Sequence, residues 1–374
     1  MKPLPSVKPL QGLRILTVEH FGAGPYGTMF LAGLGAEVTK VENAATGGDT
    51  SRHVGPHFLG EDDSVYFQCL NLWKKSVSLD LSRDREEFQA LVKNADAVVN
   101  NLRGDVPAKL GLDYRTLAKV NPRVVCLHIS AYGRDNERAA WPGYDFLMQA
   151  ETGLMDLTGE PEGAPSRFGT SMIDFMTGMT GMTALLACIL RAKETGKGCD
   201  VDASLFDVAL HQLNYMGTWY LNGGEAHTRQ PRSAHYSLTP VQTYRTADGR
   251  IYVMCMKESF WASLCQALSR PDLAKDVRFA SMAARLDNRN ALTEMLDAEF
   301  RRRPTAEWLK QLAGRVPVGP VNDMRKAIEN PFVAATGMIQ SIHHPEKREL
   351  RVFTLPVKID GERPQAVVAE PLKK

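Results

Sequence analysis

Several features that would place the chain in a special class of protein are absent from its sequence. No apolar run reaches the roughly 18 to 20 residues without charge or strong polarity that a membrane-spanning helix needs. The N-terminal segment MKPLPSVKPLQG has no apolar signal core, so we expect a cytoplasmic protein that is not exported. The six cysteines form no CxxC pair, which predicts reduced core thiols and no zinc site. The net charge of +2 gives no reason to expect binding to nucleic acid or to a membrane.

The first half of the chain alternates apolar strands with helices. Residues 13–18 predict a strand, the turn Gly22–Pro25 opens a helix, and a second strand ends at Asn43. Further strands are expected at residues 96–101 and 123–130. This order predicts a mostly parallel, Rossmann-like sheet. Because such sheets bind ligands at the carboxyl ends of their strands, we expect residues 22–24, 100–103 and 130–133 to line one crevice.

Two local motifs in this half have alternative interpretations. The turn Gly22–Pro25 departs from the GxGxxG dinucleotide motif, although amides at a helix start can still bind a nucleotide phosphate. Lys74 and Lys75 precede a predicted strand, where they either form a solvated turn or contact a phosphate. Neither motif alone decides between its two interpretations.

The longest predicted helix lies between Gly169 and Gly198. Apolar side chains recur every three to four residues, Thr170 or Ser171 is a possible cap, and Gly196 or Gly198 is a natural stop. Asp174 falls in or near the first turn. It either stabilises the helix dipole or acts as a carboxylate nucleophile or base at the mouth of a pocket.

A change of pattern from Glu225 predicts a second domain. A hairpin with Asp248 and Gly249 at its turn is followed by helices rich in arginine and aspartate. We therefore predict a large Rossmann-like domain over residues 1–224, a smaller α+β domain over 225–330, and a return segment to the large domain over 331–374.

Several motifs together resemble the family III CoA-transferases, which include formyl-CoA and carnitine CoA-transferases and are related to α-methylacyl-CoA racemase. The resemblance runs from about residue 9 to about residue 356. It is carried by PLQGLRILTVEHFGAGP, LGAEVTKVEN, NLWKKSVSLDL, ETGKG, VDASLFDVAL, TYRTADGRIYVM and PVGPVNDM. The family implies an interlocked dimer of ring-like subunits, with acyl-CoA and a small carboxylic acid as substrates and with no cofactor or metal.

The resemblance also implies a mechanism, because Asp174 stands at the position of the family's catalytic aspartate. An ordinary aspartate, with a pKa near ~3.9, is ionised at neutral pH and can attack a thioester carbonyl without a base. The expected intermediates are an aspartyl anhydride and an aspartyl-CoA thioester. Since anhydrides hydrolyse readily, the site is expected to exclude water.

A CoA site is implied by the same resemblance. Gly22 and Ala23 take the positions of a glutamine–alanine pair, Asn43 replaces a CoA-binding arginine, and Ser130 replaces a lysine of the formyl-CoA enzyme. The other positions that contact CoA in the family correspond here to Leu72, Trp73, Lys74, Lys75, Asn100, Asn101, Leu102 and Lys109.

Two alternatives to a transferase remain. Racemases of the family carry a Gly-His-Asp motif, whereas this chain has Tyr144 between Gly143 and Asp145, and a tyrosine with a pKa near ~10 is a poor proton acceptor. The replaced arginine, and an end at AEPLKK where family members usually continue, also suggest a CoA-binding member without turnover. For the acceptor acid, Arg229 and Arg232 are candidate dicarboxylate contacts, and the rings of Tyr215, Trp219 and Tyr220 are candidates for a trimethylammonium group.

Overall fold

The computed structural model describes residues 7–372 and contains thirteen strands and sixteen α-helices within that range. The strands are β1 (Arg14–Val18), β2 (Glu37–Glu42), β3 (Phe58–Gly60), β4 (Asp63–Ser64), β5 (Lys75–Ser78), β6 (Ala97–Asn100), β7 (Val125–Ser130), β8 (Cys199–Ser204), β9 (Val241–Arg245), β10 (Arg250–Met254), β11 (Val318–Pro320), β12 (Ile339–Ile342) and β13 (Leu350–Phe353). The helices are α1 (Ala23–Gly33), α2 (Val65–Asn71), α3 (Arg85–Val92), α4 (Pro107–Leu110), α5 (Tyr114–Leu117), α6 (Asp145–Glu151), α7 (Met172–Thr195), α8 (Leu205–His211), α9 (Asn214–Gly223), α10 (Glu258–Ala267), α11 (Pro271–Lys275), α12 (Met282–Asp287), α13 (Arg289–Phe300), α14 (Thr305–Leu312), α15 (Met324–Ile328) and α16 (Pro331–Thr336).

The described residues pack into two compact units. The first contains the residues up to Leu154, Phe168–Asn214, and the residues from Pro331 onward. The second contains Met155–Arg167 and Tyr215–Asn330. The domain boundaries predicted from the sequence, at residues 224 and 330, stay a prediction.

A six-stranded sheet forms the centre of the first unit. Its strand order is β5-β2-β1-β6-β7-β8, and every pairing is parallel. Strands β6 and β7 are buried along their whole length, as expected for a parallel sheet covered on both faces. The prediction of a mostly parallel sheet built on a βαβ unit is confirmed. The carboxyl ends of β1, β6 and β7 consequently meet at one edge.

Helix α7 is the longest element of the first unit and packs closely on α1. A Cβ added at Gly178 would lie 2.4 Å from the carbonyl oxygen of Ala23, so only glycine permits this approach. The buried face of α7 joins the sheet core through Ile173, Leu185 and Ile189. Of the two predicted stops, Gly196 ends the helix with φ +73°. Among the described helices, only α7 is long and apolar enough to cross a membrane by length and composition, a test that core helices also pass.

The second unit contains a small antiparallel sheet and the helices α9–α15. Strands β9 and β10 form the predicted hairpin, and β11 pairs with the other edge of β10. The sheet shares with α10, α11, α13 and α14 a core that includes Tyr244, Trp261, Phe300 and Trp308. This unit therefore has an apolar core of its own.

Candidate active site

The loops that follow β1, β6 and β7 enclose a cavity of about 330 Å³ together with the first turn of α7. The cavity brings together residues far apart in sequence, as the strand order predicts. Among its lining residues are His20, Phe21, Gly22, Ala23, Asn101, Leu102, Arg103, Ser130, Gly143, Tyr144 and Asp174. All three predicted segments contribute to the lining together with the candidate nucleophile, although Gly24, Asn100, Tyr132 and Gly133 do not line the cavity.

Asp174 lies in the first turn of α7 and faces the backbone of Gly22. A Cβ added at Gly22 would lie only 2.1 Å from the Asp174 Oδ2 atom, so the carboxyl group occupies the space that a side chain would need. Burial, and secondly the negative charge of Asp145, raise the pKa of Asp174 to about 7. The ordinary value expected from the sequence is therefore wrong for this site.

The first turn of α7 is anchored by a residue that the sequence did not indicate. Ser171 is the cap residue, but its side chain makes no capping hydrogen bond. The backbone N–H of Asp174 instead donates to Asp145 Oδ2 at 2.9 Å. No local pattern predicts this pair, because Asp145 belongs to α6.

The loop between β1 and α1 is held by the side-chain amide of Asn101. The amide accepts the His20 backbone N–H at 2.8 Å and donates to the His20 carbonyl oxygen at 2.6 Å. The next residue, Phe21, has φ +57°, and its N–H donates to Asp49 Oδ1. Asn101 therefore fixes the backbone that leads to Gly22.

His20 is a cavity residue that the sequence analysis did not select. Its only signal was its position directly after a strand. The His20 Nδ1 atom lies 3.8 Å from Asp49 Oδ1, and burial lowers the pKa of the imidazole. The cavity thus contains an imidazole as well as the Asp174 carboxyl group.

Beneath this loop lies a buried ion cluster that includes Lys74. The Lys74 Nζ atom donates to Glu19 Oε1 at 2.8 Å and to Asn71 Oδ1 and the Pro25 carbonyl oxygen, both at 2.9 Å. Its side chain is 1% exposed, and burial lowers its pKa to about 8. A contact between Lys74 and CoA, as predicted from the resemblance, would require these bonds to break. Lys74 supports the loop through these bonds, and its contact with CoA stays a prediction.

Lys74 and Lys75 are adjacent in sequence, but their substitutions are expected to differ greatly. Lys74→Ala removes the nearest cation from the buried Glu19 carboxylate, which keeps the Thr28 hydroxyl at 2.8 Å and the Lys40 Nζ atom at 3.9 Å. This variant is expected to lower the free energy of unfolding by about 3 kcal/mol. Lys75 is exposed and pairs with Glu37 at 3.1 Å, so Lys75→Ala is expected to cost less than about 1 kcal/mol. Urea unfolding of both variants measures the difference. Equal losses would contradict the assigned role of Lys74.

The remaining predicted CoA residues lie outside the lining of the cavity, and their contact with CoA stays a prediction. Leu72 is fully buried, and the Trp73 Nε1–H donates to the Gln365 carbonyl oxygen. Each of the others has a partner within the first unit: Asn43 with Ala45, Asn100 with His128, and Lys109 with Asp105.

The two arginines considered for a dicarboxylate also have partners. Arg229 donates to the Gly163 carbonyl oxygen, and Arg232 pairs with Asp297 at 2.7 Å, both within the second unit.

The raised pKa of Asp174 predicts a pH-dependent stability. The folded state binds this proton more tightly than the unfolded state, so stability is lost as pH rises from about 4 to about 7. Asp174→Asn removes this loss and is expected to make the protein more stable than the wild type at pH 8, by up to about 4 kcal/mol. Urea unfolding from pH 5 to pH 8 should show that the difference in free energy of unfolding between Asp174→Asn and the wild type grows with pH. A difference that does not change with pH would contradict the assignment.

These observations define an α/β protein with a partly buried carboxyl group of raised pKa at the strand-end cavity of a parallel sheet. The chain belongs to the CoA-transferase family III, whose family model matches residues 10–372. The resemblance found in the sequence is confirmed.

Curated relatives and solved structures cover most of the chain. Succinyl-CoA:glutarate CoA-transferase of Mus musculus is 33% identical over 93% of this chain and 80% of its own. Acetyl-CoA:oxalate CoA-transferase of Acetobacter aceti is 34% identical over 88% of this chain and 85% of its own. A CAIB/BAIF family protein from Brucella suis has a TM-score of 0.83 at 32% identity, over 98% of this chain and 96% of its own. Rv3272 from M. tuberculosis has a TM-score of 0.85 at 28% identity, over 99% of this chain and 98% of its own. CoA-transferase activity is thus supported at the level of the family.

Proposed function

We propose that the protein transfers CoA from an acyl-CoA donor to a carboxylic acid, with Asp174 as the covalent nucleophile. The observation that carries the proposal is the position of the Asp174 carboxyl group. It lies at the wall of the strand-end cavity and against the bare backbone of Gly22. A carboxylate in this position has an open side toward a ligand and a protein backbone behind it.

The proposed reaction begins when an Asp174 carboxylate oxygen attacks the thioester carbonyl carbon of the donor. The C–S bond breaks, which releases CoA thiolate and leaves a mixed anhydride on Asp174. The thiolate then attacks the aspartyl carbonyl carbon, the donor acid departs as a carboxylate, and Asp174 carries CoA as a thioester. The acceptor carboxylate follows the same steps in reverse order, which regenerates Asp174 and yields the new acyl-CoA.

The surroundings of Asp174 support both the attack and the protection of the anhydride. Burial makes the carboxylate more basic and so more nucleophilic once it is ionised. The first backbone amides of α1, at Ala23 and Gly24, have no carbonyl partner within the helix and can stabilise a developing oxyanion. The bare Gly22 backbone also leaves little space for water behind the carboxyl group. CoA enters this scheme as a substrate.

A homodimer is part of the proposal. In the first unit, α7 exposes the apolar side chains of Met179 and Leu190. In the second unit, α9 buries none of its residues and exposes Trp219 and Tyr220. A second copy of the chain, interlocked as the family implies, would cover such apolar surface.

The acceptor is proposed to be a small dicarboxylic acid, because the relatives are named for glutarate and oxalate. The test incubates the protein with succinyl-CoA and a panel of mono- and dicarboxylic acids, and new acyl-CoAs are detected by mass spectrometry. At least one dicarboxylate is expected to yield its CoA thioester. CoA binding without any new thioester would instead support a member without turnover.

The racemase alternative is tested by incubating the same protein preparation with a chiral acyl-CoA in deuterated water. Solvent deuterium entering the α-carbon of a chiral acyl-CoA, with no exchange of CoA, would favour it over transfer. Tyr144 argues against a racemase, because the resemblance gives a tyrosine here in place of the racemase histidine and this tyrosine lines the cavity.

A further inference from the structure

Asp145 is a buried carboxylate in contact with the candidate nucleophile. It is the first residue of α6 and is 3% exposed. Its Oδ2 atom accepts the backbone N–H of Asp174 at 2.9 Å, and its Oδ1 atom accepts the side-chain N–H of Gln149 at 2.5 Å. Gln149 is also buried, and its Oε1 atom accepts the backbone N–H of Phe168 at 2.8 Å. Two side chains of α6, Asp145 and Gln149, thus join α7 to the segment that precedes it.

The position of Asp145 gives it control over the geometry of Asp174. The first amides of a helix have no carbonyl partner within the helix, and the Ser171 side chain accepts no hydrogen bond from them here. A carboxylate at this end of a helix also interacts favourably with the helix dipole. Loss of Asp145 would therefore free the first turn of α7, from which the Asp174 side chain extends into the cavity.

The charge of Asp145 gives it control over the basicity of Asp174. A neighbouring negative charge disfavours ionisation of a carboxyl group, so the carboxylate that does form is more basic. After burial, the charge of Asp145 is the second cause of the raised pKa of Asp174. Helix α1 and the loop before it present backbone at Gly22, and β7 and α8 present Ile129 and Leu205 to the cavity. Further ionisable groups near Asp174 include the cavity residues His20, Arg103 and Tyr144. They also include Tyr66 of α2, whose pKa is raised mainly by burial and to a lesser degree by the charges of Cys69, Asp174 and Asp49.

In an inference that rests on the proposed function, we propose that Asp145 is a positioning residue for the nucleophile. Its hydrogen bond fixes the first turn of α7, and its buried charge keeps the Asp174 carboxylate basic. The hydrogen bond and the charge can be separated by mutation, because the side chain of Gln149 is hydrogen-bonded to Asp145 and can carry the negative charge in its place.

The separating variants are Asp145→Asn and the double variant Asp145→Asn with Gln149→Glu. In the single variant, the new amide N–H faces the N–H of Gln149, so two donors oppose each other. In the double variant, the glutamate accepts both the asparagine N–H and the Phe168 N–H, which restores every hydrogen bond. The negative charge then lies on the residue at position 149, which contacts residue 145 and not the backbone N–H of Asp174. Glu194→Gln, an exposed position near the other end of α7, serves as the matched charge control.

Two readouts are needed: the pH dependence of kcat for CoA exchange, and the titration of Asp174 by ¹³C NMR of labelled aspartate, assigned by its loss in Asp174→Asn. Asp145→Asn is expected to lower kcat on the alkaline plateau about 100-fold. The midpoint of the kcat pH profile and the midpoint of the Asp174 NMR titration are both expected to move to lower pH by about one unit. The double variant is expected to recover most of kcat while its midpoints stay on the acid side of the wild type. Glu194→Gln is expected to change neither.

The outcomes separate this inference from the proposed function. If the Asp174 titration midpoint is the same as in the wild type in both Asp145 variants, the role of Asp145 is overturned. This holds even when the wild-type protein exchanges CoA as proposed. Midpoints in the double variant equal to those of the wild type would show a purely structural role and would also overturn it. If the protein exchanges no CoA at all, the proposed function fails, yet the NMR titration still tests the influence of Asp145.

Discussion

Replacement of Asp174 by alanine is expected to abolish CoA exchange while CoA binding stays within about tenfold of the wild type. The reason is chemical: without the carboxylate there is no oxygen to form the anhydride and no acyl carbon to carry the thioester. Binding is largely preserved because the residue lies at the wall of the cavity and not across it. Exchange is measured with succinyl-CoA and the best acceptor of the panel, and binding by calorimetry with CoA.

Asp174→Asn is the matched control for this experiment. It keeps the shape of the side chain and removes only the nucleophilic charge, so it is also expected to be inactive. Exchange near the wild-type rate in either variant would contradict the role assigned to Asp174. Loss of CoA binding in both variants would show that the residue acts on binding instead.

A methyl group added at Gly22 is expected to lower kcat at least 100-fold. Its carbon would lie 2.1 Å from Asp174 Oδ2 and 2.7 Å from Asp174 Cγ, so the carboxyl group must move from its position. A displacement of about 1 Å at a reacting group can cost about 100-fold in rate. Steady-state kinetics of Gly22→Ala measures the effect, with circular dichroism as the check on folding.

Gly223→Ala is the control for the effect of a glycine-to-alanine change itself. Apart from its chain neighbours and the nearby backbone of its own helix, no described atom lies within 4 Å of the position that its Cβ would take, and its φ is not in the left-handed region. This variant is expected to retain the wild-type kcat. A Gly22→Ala protein with unchanged kcat would contradict the close approach of this backbone to the nucleophile.

The alternation of strands and helices was sufficient to predict the sheet and the place of the cavity. Parallel strands must end at the same edge, so the residues after β1, β6 and β7 had to meet. Asp174 could be predicted as the nucleophile only because its position matches that of the family's catalytic aspartate. The position in a first turn alone also fits a charge that stabilises the helix dipole.

The remaining features depend on contacts that no local pattern encodes. Lys74 and Lys75 are neighbours in sequence, yet Lys74 is buried against Glu19 and Lys75, the first residue of β5, is exposed. The pKa of Asp174 depends on burial and on Asp145, which belongs to another helix. An estimate from the side chain alone therefore gave an ordinary value.

The central claim is that Asp174 becomes covalently attached first to an acyl group and then to CoA. The most direct measurement adds hydroxylamine to the protein during turnover with an acyl-CoA, followed by mass spectrometry of the peptide that contains Asp174. The account predicts a hydroxamate at Asp174 that appears only when the acyl-CoA is present and is absent from Asp174→Asn. An unmodified Asp174 peptide from a protein that is exchanging CoA at the same time would contradict it.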